Sequence, residues 1–417
     1  MMRADVAVLG GGLVGLATAL ALRNRRPDLH VIVLERDDDV GLGQSSRNSG
    51  VLHAGLYYAP GSAKARWCTA GKRRMEQFCE EHEVPVLRNG KVVAAVRSEE
   101  LPRLAELAER ARTNGVPIRE LSADEVRELE PNVAALAGLH SPTTAVTDFG
   151  LVAAAMARVL RSSGVEVRTS SEVLSIAQPD EGPVRLATRT GDVEARAVVA
   201  CTGLQADRTA KRAGVPLRER ILPFRGSWLR LAPAKRELIS ANIYPVPAPG
   251  LPFLGVHLTP RVDGEVWIGP NAVLALAREG RSRWSVDLRD LLGSVGFAGL
   301  WRLVAQHPDT AVGEVLRDVW LRATVREVQR YVPAIGLEDV ERGPWGVRAQ
   351  LTGPDGSLVD DFHIERHGRV LHVLNAPSPA ATSSLIIGEE LATAVAEGGG
   401  FEPPRAVKPN TDSSRAP

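Results

Sequence analysis

The feature that most constrains this chain is the run Gly10-Gly11-Gly12-Leu13-Val14-Gly15, set between an apolar stretch at 5–9 and apolar residues at helical spacing over 13–25. In a Gly-x-Gly-x-x-Gly turn leading from strand to helix, each glycine has its own physical task. Gly10 permits the tight turn, Gly12 lets the backbone approach a pyrophosphate, and Gly15 lets helix and strand pack closely. A second apolar strand at 31–34 (VIVL) ends at Glu35, where a carboxylate can accept from a ribose 2′-hydroxyl and would repel a 2′-phosphate. The pattern predicts a βαβ unit binding a dinucleotide, its phosphates facing the helix N–H groups and the positive end of the dipole. Arg36, next to Glu35, joins the candidate contacts. The uncharged stretch 6–22 could pass for a signal-peptide core. Its four glycines, the lack of a basic leader and cleavage site, and its end at Arg23 instead predict a buried strand and helix.

The motif alone leaves FAD and NAD open, and three later features favour FAD. Residues 44–50 (QSSRNSG) form a polar run of small side chains suited to wrapping phosphates and a flavin ring, offering Gln44, Ser45, Ser46, Ser49 and Gly50. The strand 198–203 (VVACTG) runs into Thr202 and Gly203, a second backbone turn that can meet the pyrophosphate, with Val173 contributing from the strand at 172–177. Finally, Asn375, Ala376, Pro377 and Ser378 precede a helix whose N–H groups can face the flavin edge that gathers negative charge on reduction.

At 417 residues the chain is long enough for two or three folding units at roughly 150 residues each. Strand and helix patterns alternate in the expected order. Helices are expected at 61–82, 99–113, 122–128 (Ser122 and Glu125 making a capping box), 151–163 and 380–396, and strands at 91–96, 165–168, 172–177, 184–188 and 193–200. Residues 223–269 are rich in proline, aromatics and β-like runs, and 286–331 are mainly helical. The expected fold is α/β, with a nucleotide unit assembled from 1–85, 145–215 and 340–397 and a second, substrate-binding α+β unit from 86–144 and 216–339. The composition of 398–417 predicts disorder.

A formal charge of +1 gives no electrostatic case for a nucleic-acid partner. Cys68, Cys79 and Cys201 form neither a CxxC pair nor a metal-ligand spacing with histidine, so no disulfide framework and no metal site are expected, and a reducing cytoplasmic setting fits. No stretch reads as a transmembrane span; peripheral contact at the inner face of a membrane stays open.

Seven stretches together resemble the D-amino-acid-oxidase-like FAD oxidoreductases, and within them the L-2-hydroxyglutarate dehydrogenase/oxidase family. They are RNSGVLHAGLYYAPGSAKARWC (47–68), LPFRG (222–226), PFLGVHLT (252–259), GPNAVLA (269–275), GVRAQ (346–350), PDGSLVDDF (354–362) and NAPSPAATSS (375–384). The resemblance implies a Rossmann-like FAD domain of the glutathione-reductase/D-amino-acid-oxidase type, with the substrate domain built on a mixed antiparallel sheet. It implies oxidation of an L-2-hydroxy acid, foremost L-2-hydroxyglutarate to 2-oxoglutarate, by hydride transfer from Cα to flavin N5, with a quinone or dioxygen as final acceptor. The same fold also serves other hydroxy acids and amines such as glycine or sarcosine.

His53 is the first candidate for the base or hydroxyl partner, since an imidazole titrates near neutrality; a structural role beside the flavin is its alternative. His257 is the second candidate, and Arg348 is the candidate clamp for the substrate carboxylate. Tyr57, Tyr58, Tyr244, Arg47 and Arg225 are candidate pocket residues. The chain departs from the family's pattern twice. Gly43-Gln44-Ser45-Ser46 stands where a histidine-containing run precedes RNSG, which implies non-covalent FAD. Ser227-Trp228 replaces a Glu-Tyr pair after LPFRG, which bears on the substrate's distal end.

Overall fold

The computed structural model describes residues 1–247, 255–280 and 282–396. The stretch 398–417, expected to be disordered, lies outside these, as does most of PFLG at 252–255.

The first strand, Met2–Leu9, lies between Val31–Leu34 and Val193–Ala200, parallel to both. Glu166–Arg168 continues the sheet beyond Val31–Leu34, and Val370–Asn375 pairs parallel with the far end of Val193–Ala200. The Val173–Ala177 and Val184–Thr188 hairpin joins the near end of Val193–Ala200. Among the described residues this sheet holds eight strands. The first strand starts at Met2 rather than residue 5, because Met2–Ala4 pair with Val193–Ala195, a partner invisible to local patterning.

Leu13–Arg25 is a helix with the bounds the spacing predicted, and it is apolar nearly all round because it is covered on several sides. Leu16 and Leu20 share one core with Val6, Val8, Val33, Met156, Leu160, Ile387 and Leu391, so helices Phe149–Ser162 and Ala380–Ala396 close over the same sheet face. A side chain at Gly388 would come within 2.5 Å of the Ala17 backbone, which is what lets the first and last helices touch. The capping box at Ala123–Leu129 forms as expected: Ser122 Oγ accepts from the Glu125 N–H, and the Glu125 carboxylate accepts from the Ser122 N–H at 2.8 Å.

The second sheet is mixed and largely antiparallel. Its central strands run in the order Arg220–Leu231, Val266–Gly269, His257–Pro260, Asn242–Pro245, Lys91–Ala95, Ala137–Ser141. One face packs Val92, Ala94, Ile243, Leu258 and Ile268 into a core with Val328 and Tyr331. On the other face, Val93, Ala95, Leu139 and Tyr244 pack with Leu104, Leu107 and Ala108 of the helix Leu101–Thr113. One boundary differs from expectation. The expected nucleotide segment 340–397 begins with Val340–Thr352, but that strand pairs antiparallel along the whole of Arg220–Leu231 and so belongs to the second sheet. Its register is set by residues over a hundred positions away, beyond the reach of local patterning.

Candidate active site

The parallel strands of the first sheet end at a common rim. Leu9, Leu34, Cys201 and Leu374, at or just past those ends, all line one cavity of about 1940 Å³. That exceeds the few hundred to about 1,000 Å³ of a pocket for one small ligand, and leaves room for a dinucleotide with a substrate beside it. The carboxyl ends of the strands are where open α/β sheets bind ligands.

The glycine turn has the geometry its sequence predicts. Gly10 adopts φ 105°, and a Cβ there would lie 2.4 Å from the Cys201 carbonyl oxygen. Gly15 packs the helix against the turn so closely that a Cβ would meet the Gly10 carbonyl at 2.0 Å. It stays out of the cavity, as its packing task requires. Gly12 caps the helix in extended conformation, and Ser45 Oγ accepts the Leu13 N–H at 3.0 Å. Glu35 is buried at the rim. One carboxylate oxygen accepts the Gly11 N–H at 2.6 Å and the other the Asp37 N–H at 2.9 Å. Burial raises its pKa, and these two bonds oppose the rise. The glycine cradle, the helix start and this oriented carboxylate fit the adenosine and pyrophosphate of a dinucleotide.

Arg36, Gln44, Ser49, Val173, Thr202, Gly203, Ala376, Pro377 and Ser378 also line the cavity. Arg36 is ion-paired with Glu279. Besides Gly15, three expected cofactor contacts do not line it. Ser46 packs beside Gly150 at the start of a helix. Gly50, at φ 76°, leaves room for the Thr147 carbonyl and the Arg261 guanidinium, each within 2.4 Å of where a Cβ would stand. The Asn375 amide donates to the carbonyls of Val359 (2.8 Å) and Asp361 (2.9 Å), so it fixes a neighbouring loop.

Beyond the loop 44–50 the cavity meets the second sheet, and His53, Tyr57, Tyr58, Trp228, Tyr244, His257 and Arg348 line this part, with Arg47 nearby. Tyr244 stacks on His257 with ring centroids 4.0 Å apart. His257 Nδ1 lies 3.0 Å from the Gly255 carbonyl oxygen, which can only accept. The proton therefore sits on Nδ1, and Nε2, buried without a partner, carries the lone pair. Burial holds the His257 pKa down at about 3, with Lys91 and Arg348 pushing the same way. His53 is lowered well below the usual range by burial, then Lys91 and His257; its Nδ1 is buried and unpartnered, and Nε2 lies 3.5 Å from Ser378 Oγ. Arg348 is half-buried, its pKa lowered by burial and raised by Glu314.

Two expected substrate contacts point elsewhere. The Arg225 guanidinium holds Asp318 at 2.5 Å and the Arg283 carbonyl at 2.5 Å, and Ser227 Oγ donates to Asp318 at 3.3 Å. Asn271 and Arg283 complete this buried network. Side chains alternate along the Arg220–Leu231 strand, so of the Ser227-Trp228 pair only Trp228 faces the cavity. Sequence reasoning missed Lys91, fully buried beside Tyr57 and Tyr244. Its signal was a lone lysine opening an otherwise apolar strand, KVVAA.

Residues 5–394 match the FAD dependent oxidoreductase family. This chain belongs to that family. It is 43% identical over 395 residues to the mitochondrial L-2-hydroxyglutarate dehydrogenase of Caenorhabditis elegans, covering 92% of this chain and 91% of that one. With L-2-hydroxyglutarate dehydrogenase of Escherichia coli K12 it shares 40% identity over 391 residues, 94% and 93% of the two chains. Among solved structures, FAD-bound L-alpha-glycerophosphate oxidase of Mycoplasma pneumoniae superposes with TM-score 0.73 at 20% identity, covering 93% of each chain. That likeness shows the fold, and the cofactor of this enzyme family is FAD.

Proposed function

We propose that this flavoenzyme oxidises L-2-hydroxyglutarate to 2-oxoglutarate. The geometry that carries the reading is one cavity end that brings together Arg348, two histidines with unpartnered ring nitrogens, and the turns that wrap the cofactor. The near-full-length identity to L-2-hydroxyglutarate dehydrogenases supports the substrate.

Gly10, Gly12, Glu35, Ser45, Thr202 and Gly203 hold the dinucleotide, with no covalent link, and Ala376–Ser378 border the flavin. Bound FAD supplies the two-electron acceptor for the hydride that leaves Cα. Arg348 pairs its guanidinium fork with the C1 carboxylate and fixes the Cα–H direction. His257 Nε2 takes the hydroxyl proton. Its low pKa keeps it unprotonated when the site is empty, and the entering carboxylates raise its basicity when the proton must move. His53 donates to or accepts from the same hydroxyl, and Tyr57, Tyr58 and Trp228 exclude water.

The electron acceptor we propose is a quinone or dioxygen. No helix among the described residues is long and apolar enough to cross a membrane. Yet Trp284, Leu288, Leu292, Trp301, Val312, Val315 and Trp320, on or beside the helices between 288 and 319, are more than half exposed. Exposed tryptophan and aliphatic side chains concentrated like this suit an interfacial contact with lipid, peripheral and on the cytoplasmic face. Flotation with liposomes, with Trp301→Ser and Trp320→Ser as controls, tests that contact.

The deciding experiment is anaerobic titration of the FAD-loaded protein with L- and D-2-hydroxyglutarate, lactate and malate. Bleaching of the flavin band by L-2-hydroxyglutarate alone, with 2-oxoglutarate formed, is the expected result. No bleaching, or reduction by amines with ammonia release, would overturn the reading.

A further inference from the structure

Behind the aromatic wall of the cavity lies a cation that the reaction above does not use. Lys91 opens the strand Lys91–Ala95, on the face it shares with Val93 and Ala95, while Val92 and Ala94 turn to the opposite core. Its side chain is fully buried and Nζ has no hydrogen-bond partner. The ammonium instead sits 3.9 Å from the Tyr244 ring centroid and 5.0 Å from that of Tyr57. Tyr244 in turn stacks on His257. The two other well-buried lysines are paired conventionally, Lys64 with Asp360 at 2.8 Å and Lys72 with Glu76 at 2.6 Å. Taking an ammonium out of water without a carboxylate is costly, and ring faces return only part of that cost.

The titratable groups that face Lys91 carry no resident negative charge to offset this. They are His53 and Tyr57 from the loop after the Val51–Leu52 strand, Cys68 from the helix Ala63–Glu81, Tyr244 and His257 from neighbouring strands, and Arg348 beyond them. Burial pushes the Cys68 thiol up to about 12, so it stays neutral. The missing anion is one that arrives from outside.

We propose that Lys91 is a positioning residue that takes up a proton when a dicarboxylate enters the cavity, so that substrate binding charges the site and release discharges it. This rests on the functional reading above. Burial brings Lys91 down to about 7, so an empty site at neutral pH holds a mixture of charged and neutral lysine. An anion in the cavity pulls that mixture toward the charged form.

The test is calorimetric binding of 2-oxoglutarate to the FAD-loaded protein at pH 7, in phosphate and in Tris, whose ionisation enthalpies differ. We expect uptake of about half a proton by the wild type, from a group half-charged at pH 7. Lys91→Met should bind roughly ten-fold more weakly with no uptake. In the wild type alone, affinity should fall as pH rises from 7 to 9, a range where His257, held down at about 3, and His53, lowered well below the usual range, are silent. Equal heats in both buffers for the wild type, or undiminished uptake in Lys91→Met, would overturn the proposal while leaving the dicarboxylate reading intact. Failure of the wild type to bind 2-oxoglutarate at all would instead overturn both. Should Lys91→Met not fold, the wild-type pH series decides by itself.

Discussion

Replacing Gly12 by alanine separates the folding role of the glycine turn from its binding role. Gly12 has φ −80° and ψ 174°, a conformation any L-residue adopts, so no backbone strain follows. Within 4 Å, a Cβ there would meet only Ser45 Oγ, at 3.1 Å, a hydroxyl that can yield by a few tenths of an ångström. The apoprotein should lose no more than about 1 kcal/mol, the cost of alanine at a helix N-cap. The methyl nevertheless occupies the approach to the helix N-terminus, where the pyrophosphate must come within hydrogen-bond distance of backbone N–H groups. Losing one charge-assisted bond costs about 1.5–3 kcal/mol, or roughly ten- to a hundred-fold in Kd. The assay is titration of apoprotein with FAD, followed by quenching of flavin fluorescence, beside a thermal melt of the apoprotein. Gly15→Ala is the contrast: its Cβ would stand 2.0 Å from the Gly10 carbonyl, so that variant should already be destabilised without FAD. An unchanged FAD affinity in Gly12→Ala would remove this turn from the phosphate site and refute the reasoning.

Other perturbations probe other parts of the molecule. Arg348→Met should lower kcat/KM for 2-hydroxyglutarate by about ten- to a hundred-fold, the value of a charge-assisted pair, and leave FAD affinity unchanged; steady-state kinetics with flavin titration checks both. Asp318→Asn leaves the buried Arg225 and the half-buried Arg283 without their counter-charge and should cost about 3–5 kcal/mol in urea unfolding, although neither Asp318 nor Arg225 lines the cavity. His257 and His372 are depressed to about 3 and about 4, so between those values and about 6.5 the unfolded chain binds protons that the folded chain refuses. Stability should therefore be full above about pH 6.5 and fall on acidification, by up to about 1.4 kcal/mol per pH unit for each histidine. Urea melts at pH 7, 6 and 5 with no downward trend would contradict the buried neutral imidazoles.

What could be read in advance divides along physical lines. The helices Leu13–Arg25 and Ala380–Ala396 and the strands Val31–Leu34, Val184–Thr188 and Val193–Ala200 have the bounds that periodicity predicts, because each is specified by its own apolar spacing and by the glycines or prolines beside it. Candidate site residues fared unevenly within single motifs. Trp228 reaches the cavity while Ser227 next to it serves Asp318, and Ser378 lines it while Asn375 braces a loop. Which of two adjacent strand residues faces a cavity depends on which face of the sheet is covered, and that needs the partner strands.

Amino-acid order alone dictated a dinucleotide turn, its strand and helix, and the acid at the next strand end, since those features lie within about thirty residues and rest on local conformation and spacing. Three-dimensional pairing assigned the strand Val340–Thr352 to the second sheet, engaged Arg225 with Asp318, and set Lys91 beneath two tyrosines beside His257. Each of those outcomes joins residues from about 35 to more than 160 positions apart. Local propensity carries no information about such encounters; burial, charge compensation and strand register do.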